Sequence, residues 1–285
     1  RVIPSRRDAD GMTRLLFLGT GTSAGVPAIG QPPPSDDPRD RRLRTSALLS
    51  FKDPAGAPRS ILIDAGPDLR QQALAADMDR CDAVLITHNH VDHCWGLDEL
   101  RRFNMLMQRP IDIYADDHTL ARLRTVYEHI FDPSRNRQSS YVASLIARRV
   151  EPLHPFELHG LRVTPLPLLH GRVPILGFRF DVASPGLSAG PAEGGVLPMG
   201  YCTDVSAIPP ETWPYLDGLR TLVLDGLRYR KHPTHFTIGQ ARSVAERIAA
   251  ERTYLVHMSG EVAHAEAESD LPESVRLAYD GLELT

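Results

Sequence analysis

The hexapeptide His88-Asn89-His90-Val91-Asp92-His93 constrains this chain more than any other stretch, because it places four potential metal ligands immediately behind an apolar run. That run, Cys81-Asp82-Ala83-Val84-Leu85-Ile86-Thr87, is short and β-favouring, and Trp95 to Met107 reads as a helix. The ligands are therefore expected on the turn where a strand meets a helix. Imidazole suits borderline divalent ions and carboxylate suits harder ones, so three His and one Asp fit Zn²⁺, Mn²⁺ or Fe²⁺. Four side chains in one turn cannot all reach one ion, but His88 and His90 can face one while Asp92 and His93 face a second. The competing reading of the hexapeptide is a solvated, histidine-rich loop.

A two-ion centre needs ligands from elsewhere, and three strand ends offer them. His170 closes the apolar run 163–169, Asp204 follows Tyr201-Cys202-Thr203, and His257 follows Tyr254-Leu255-Val256. A side chain at a strand end sits on a rigid scaffold that can hold it near the others. The expected wiring puts His88, His90 and His170 on one ion, Asp92, His93 and His257 on the other, and Asp204 between them. Two ions about 3.5–4 Å apart can share a hydroxide formed at neutral pH, which would serve as nucleophile.

Composition narrows the partners. With 285 residues and 42% apolar content the chain can build a substantial core, and a net charge of −4 gives no basic surface for a large nucleic-acid footprint. Three widely spaced cysteines, Cys81, Cys94 and Cys202, do not make a disulfide framework, which fits a reducing compartment and makes the cytoplasm the expected location. No apolar stretch approaches the ~20 residues of a membrane span. Residues 1–11 are polar and basic and read as a disordered tail, leaving 12–285 as a single domain.

Leu15 to Leu18 reads as a buried strand leading into a glycine loop, Gly19 to Pro27, which lacks the GxGxxG spacing of a dinucleotide site. Further strands are expected at 46–51, 60–63, 111–115, 161–169, 176–182, 195–201, 222–224 and 253–256, and helices at 67–75, 118–130, 237–249 and 261–269. Residues 184–194, rich in Gly, Pro, Ala and Ser, read as a hairpin tip. Asp64, at a strand end, can orient a ligand histidine or cap the helix behind it. Strand-rich stretches closed by helices, in two successive halves, predict an α/β fold of two sheets face to face with helices outside.

The ordered series of HxHxDH, His170, Asp204 and His257 resembles the metallo-β-lactamase superfamily over residues 15–284. That resemblance implies a four-layer αββα sandwich of two mixed sheets, with two divalent ions (Mn or Zn) at one edge. Gly19-Thr20-Gly21-Thr22-Ser23, Gly25-Val26-Pro27, His232-Pro233-Thr234-His235-Phe236 and Tyr279-Asp280-Gly281-Leu282-Glu283 are similar to the phosphoribosyl cyclic phosphodiesterase group associated with carbon–phosphorus lyase pathways. Enzymes of that group open a 1,2-cyclic phosphate on ribose 5-phosphate, commonly with manganese. The likeness implies a small phosphodiester substrate, and a catalytic role for His235 beside Asp92. An imidazole there can protonate a departing alkoxide, with His232 as the competing candidate. The group's structural zinc is expected to be absent, since the loop Gly30-Gln31-Pro32-Pro33-Pro34-Ser35 has no thiol and Gly260 replaces the late histidine.

Arg44, Arg228 and Arg230 are candidates to grip a second phosphate. The remaining histidines, His118, His129, His154, His159 and His264, are expected at the surface. Rival readings are a tRNA 3′-processing-type nuclease, a thioester or lactone hydrolase, and a non-catalytic binding or carrier protein. The nuclease is disfavoured because no basic, Gly-rich arm appears; a homodimer is compatible with the resemblance.

Overall fold

The computed structural model describes residues 12–132, 134, 141–184, 187 and 195–285. The tail at 1–11, most of the expected hairpin tip at 184–194 and most of the loop 132–140 lie outside these described residues. The first sheet is built from β1 (Arg14–Gly19), β2 (Ser46–Lys52), β3 (Pro58–Ile63), β4 (Ala83–Leu85), β5 (Ile111–Ala115) and β6 (Leu145–Arg149), with β14 (Glu283–Leu284) outside β1. The second runs from β7 (Phe156–Leu158) through β8 (Leu161–His170), β9 (Val173–Val182), β10 (Met199–Cys202), β11 (Thr221–Asp225) and β12 (Arg252–Val256) to β13 (Val275–Leu277). Both sheets mix parallel and antiparallel pairs. Among the described residues, no helix is long and apolar enough to cross a membrane.

The strands are apolar on both faces because both faces are covered. In β1, Leu15 and Phe17 point between the sheets, where they join Leu49, Ile63, Phe178, Phe180 and Tyr201. Leu16 and Leu18 point outward, under α1 (Leu69–Ala75), α3 (Arg101–Met107) and α4 (Asp117–Val126), through Leu69, Phe103 and Leu120. On the far side, Leu222, Leu224 and Leu255 meet Ile238, Ala241 and Ala245 of α6 (Ile238–Ile248). Four layers, α/β/β/α, follow from this period-2 alternation with apolar residues at both parities.

Differences from the sequence reading have local causes. The helix expected from Trp95 begins earlier, as α2 (Val91–Cys94), and stops at Gly96 before α3. A Cβ on Gly96 would lie 2.0 Å from the Gly66 carbonyl oxygen, and one on Gly66 would lie 2.0 Å from that of Asp92. These two glycines let the loop after β3 pack directly on the ligand turn, joined by Ala65 N–H to His93 O (2.7 Å) and Gly96 N–H to Ala65 O (2.7 Å). The helix expected at 67–75 starts at Leu69, and the carboxylate of Asp68 at its N-cap accepts from Arg44 instead of capping the first turn. The helix expected at 118–130 divides at Tyr127 into α4 and α5 (Glu128–Phe131). Strands β6, β7, β13 and β14 escaped the sequence reading: they are the outermost strands of the two sheets, and β6 has only half-buried and exposed residues, ending on the exposed Arg148 and Arg149.

Candidate metal centre

Strands β3 and β4 run parallel, as do β10, β11 and β12, so their C-terminal ends open at one edge of the sandwich. Asp64 and His88 come from the first sheet's ends; Asp204, Asp225 and His257 come from the second's. His170 arrives from the end of β8. Three of these residues, Asp64, Asp204 and His257, follow strands with φ of 60, 58 and 65°, a left-handed conformation that costs a non-glycine residue about 1 kcal/mol or more. Surroundings must hold them there.

The structure brings the expected side chains into two sets. His88, His90 and His170 form one, and Asp92, His93, Asp204 and His257 the other, with ligand atoms within 4.8 Å of one another in each. Asp204 also lies 4.0 Å from His88 Nε2, where a carboxylate can serve both sets. Only His90 is exposed, giving the centre an open side.

Each ring is aimed by a partner behind it. His93 Nδ1 donates to Asp64 Oδ2 (2.7 Å), and His170 Nδ1 donates to the Thr234 carbonyl (2.8 Å). His88 Nδ1 lies 3.0 Å from Thr87 Oγ1, whose own proton goes to Asp64. All three rings thereby present Nε2 to the centre. Asp64 thus orients His93 and caps no helix.

Burial and charge decide what the centre can hold. His88 Nε2, His93 Nε2 and both ring nitrogens of His257 are buried without a hydrogen-bond partner among the described residues. Carboxylate oxygens stand 3.1–3.5 Å from His93 Nε2 and His257 Nε2, yet out of hydrogen-bonding line. Donors that crowd one point without bonding each other are arranged for a cation, so this residue set fits divalent ions. Desolvation pushes the His88 imidazole well below its usual value, and it pushes His170 down to about 4, so both are neutral, as ligands must be. Against burial, the carboxylates of Asp204 and Asp92 raise the His93 and His257 imidazoles, and the positive charge of those two rings in turn keeps both carboxylates ionised; a cation held by these groups would take the place of the two protons.

His235 is buried, with ring centroids 4.6 Å from His170 and 4.7 Å from His257. Its Nδ1 lies 3.2 Å from Asp225 Oδ1, while Asp225 Oδ2 accepts the Phe236 N–H (2.9 Å). Sequence reasoning missed Asp225, although it ends β11 just as His170 ends β8 and could have been found by the same rule. His232 is less enclosed, and its Nδ1 accepts the Thr234 N–H (3.3 Å), a loop-capping contact. The three arginine candidates are engaged: Arg44 with Asp68 (2.7 Å), and Arg228 and Arg230 with Glu261 (3.5 and 2.6 Å). Burial pushes all three cysteine thiols up to about 12, which makes them inert. His264 was expected at the surface but is 1% exposed, because α7 (His264–Ser269) turns it onto Arg42.

Comparison with known proteins agrees with this geometry. The crystal structure of a new diphosphatase from the PhnP family superimposes with a TM-score of 0.81 at 36% identity, over 95% of this chain and 96% of that one. An octanoyltransferase of Porphyromonas gingivalis is 37% identical over 95% of this chain but 51% of its own length, and a ribonuclease Z of Pseudomonas putida is 32% identical over 60% of this chain and 47% of its own. The chain spans about half the length of these curated relatives. A family model described as beta-lactamase superfamily domain matches residues 59–258, a stretch that carries the HxHxDH turn and the strand-end candidates His170, Asp204 and His257. The chain therefore belongs to the metallo-β-lactamase superfamily of hydrolases.

Proposed function

We propose that this chain hydrolyses a small phosphodiester, cyclic esters included, to a phosphomonoester. It would hold two divalent ions through His88, His90, Asp92, His93, His170, Asp204 and His257. The observation that carries this reading is a buried pair outside the seven expected ligands, His235 with Asp225, set against their converged side chains. Such ions, when bound, lower the pKa of water and neutralise charge growing on phosphoryl oxygens. The rest falls to the protein. Asp64 and Thr234 fix the ring orientations of His93 and His170, so the ligand set is preorganised. His235, with Nδ1 turned to Asp225, has Nε2 available to hand a proton to the leaving alkoxide. Burial and the neighbouring His257 push His235 down to about 4, and an anionic phosphoryl group arriving beside it raises its proton affinity.

Two relatives support phosphoryl chemistry by their names, the diphosphatase and the ribonuclease Z. The octanoyltransferase name describes a protein twice the length matched here. The diphosphatase relative favours one further reading, cleavage of a phosphoanhydride, which differs in the leaving group: a phosphate departs without needing a proton. Manganese-reconstituted protein should be assayed against bis(p-nitrophenyl) phosphate, ribose cyclic phosphates and an alkyl diphosphate. Turnover of the cyclic esters is the expected result. Protein carrying two ions that cleaves none of the phosphodiesters sinks the proposal, and preference for the diphosphate selects the second reading.

A further inference from the structure

A buried cation outside the metal centre plays no part in the chemistry above. Arg42 is 2% exposed, and its guanidinium is enclosed by four segments of chain. Nη1 donates to Thr20 Oγ1 (3.0 Å) and to the Ala278 carbonyl (2.7 Å); Nη2 lies 3.2 Å from His264 Nδ1 and 3.8 Å from Asp40 Oδ1. Its Nε has no partner among the described residues. Asp40 is itself held by Ser35 Oγ (2.6 Å) and the His264 N–H (2.8 Å). Enclosing a charge is expensive, and apolar side chains of similar volume often serve stability as well. A guanidinium with three directed contacts and a carboxylate 3.8 Å away therefore points to a geometric role.

The geometry it controls leads to a ligand. Thr20 Oγ1, besides receiving Arg42, donates to Asp280 Oδ1 (2.8 Å), whose Oδ2 takes the Leu43 N–H (2.6 Å). The Thr20 carbonyl accepts the Met258 N–H (3.0 Å), and the Thr22 N–H donates to the Met258 carbonyl (3.0 Å). The glycine loop thus grips Met258 by both of its backbone polar groups. Met258 follows His257, which sits at φ 65° with neither ring nitrogen hydrogen-bonded. Where His93 and His170 are aimed through Nδ1, His257 is placed by its backbone.

We propose that Arg42 is a positioning residue for the metal centre: by clamping Thr20 it fixes the register of the glycine loop on Met258, and so where His257 meets Asp92 and Asp204. This rests on the two-ion reading of the site. Arg42→Met, Arg42→Lys and Thr20→Val, each in the whole chain, should be titrated with Mn²⁺ as apo-protein, following binding constants and the Mn²⁺ paramagnetic resonance spectrum. Wild type is expected to bind two ions with a spin-coupled spectrum. Arg42→Met should unfold cooperatively yet bind its second ion at least ten-fold more weakly, with an isolated-ion signal, and kcat should fall more than KM rises. Arg42→Lys, a point charge without the planar fork, should fall between, and Thr20→Val should move the same way. A residue that only stabilises the fold would lower the unfolding temperature and leave both Mn²⁺ constants and the spectrum unchanged. That result for Arg42→Met, or for Thr20→Val should Arg42→Met not fold, overturns the proposal. Wild-type protein that binds no second ion refutes the two-ion site, and the positioning role with it.

Discussion

Replacing Asp225 by Asn tests the proposed proton donation by His235. Asp225 is fully buried, with one oxygen 3.2 Å from His235 Nδ1 and the other accepting the Phe236 N–H at 2.9 Å. Asn has the same shape but one acceptor, and the backbone N–H needs it. The amide NH₂ then faces His235 Nδ1. An imidazolium carries N–H on both nitrogens, so Asn opposes the form of His235 that donates a proton. General acid catalysis contributes roughly 10²–10⁴ in rate, or about 3–5 kcal/mol of barrier. For a ribose cyclic phosphate, whose leaving group is a basic alkoxide, kcat should fall by about that factor. For bis(p-nitrophenyl) phosphate, whose phenolate leaves without help, the loss should stay below roughly ten-fold. Asp225 also lies 3.8 Å from His257 Nδ1, so Mn²⁺ content is measured alongside and should remain that of wild type. Equal losses on the two substrates, or an intact rate on the cyclic ester, would refute the proton-donor role.

Two further outcomes test the packing and the electrostatics. Tyr201 is fully buried between the sheets, and its hydroxyl has no partner among the described residues, so Tyr201→Phe should raise stability by about 1 kcal/mol in urea denaturation; a clear loss would show that the hydroxyl is satisfied. Desolvation raises the Asp280 carboxyl from its usual 3.8 to about 6, despite hydrogen bonds from Leu43 and Thr20. An acid raised on folding contributes stability that is complete below pH 3.8 and lost as pH climbs through 6. Relative to Asp280→Asn, wild type should therefore lose at most about 3 kcal/mol between pH 4 and pH 7, and parallel pH profiles of the two would contradict the assignment.

Much of the fold was legible because it is written locally. Alternation with apolar residues on both parities, as in Leu15 to Leu18, announces a strand covered on both faces whatever covers it. Thr237 and Gln240 form the capping box that starts α6, within a residue of the expected boundary. The outermost strands β6, β7, β13 and β14 were not legible, because the exposure of an edge strand depends on its neighbours and a short one leaves little pattern of its own.

The site divides along the same line. The sequence by itself determined which side chains could serve as ligands: the HxHxDH turn, His170, Asp204 and His257 are all marked by a coordinating residue at the end of an apolar run. Only the tertiary structure decided how they are served. That Asp64 aims His93, that Asp225 backs His235, that Arg44 belongs to Asp68, and that His264 and Arg42 are buried together are facts about segments 10 to 222 residues apart. Ligand identity is a property of one residue and its strand. Orientation, pairing and burial are properties of what lies opposite, and the packing of two sheets face to face brings that partner into place.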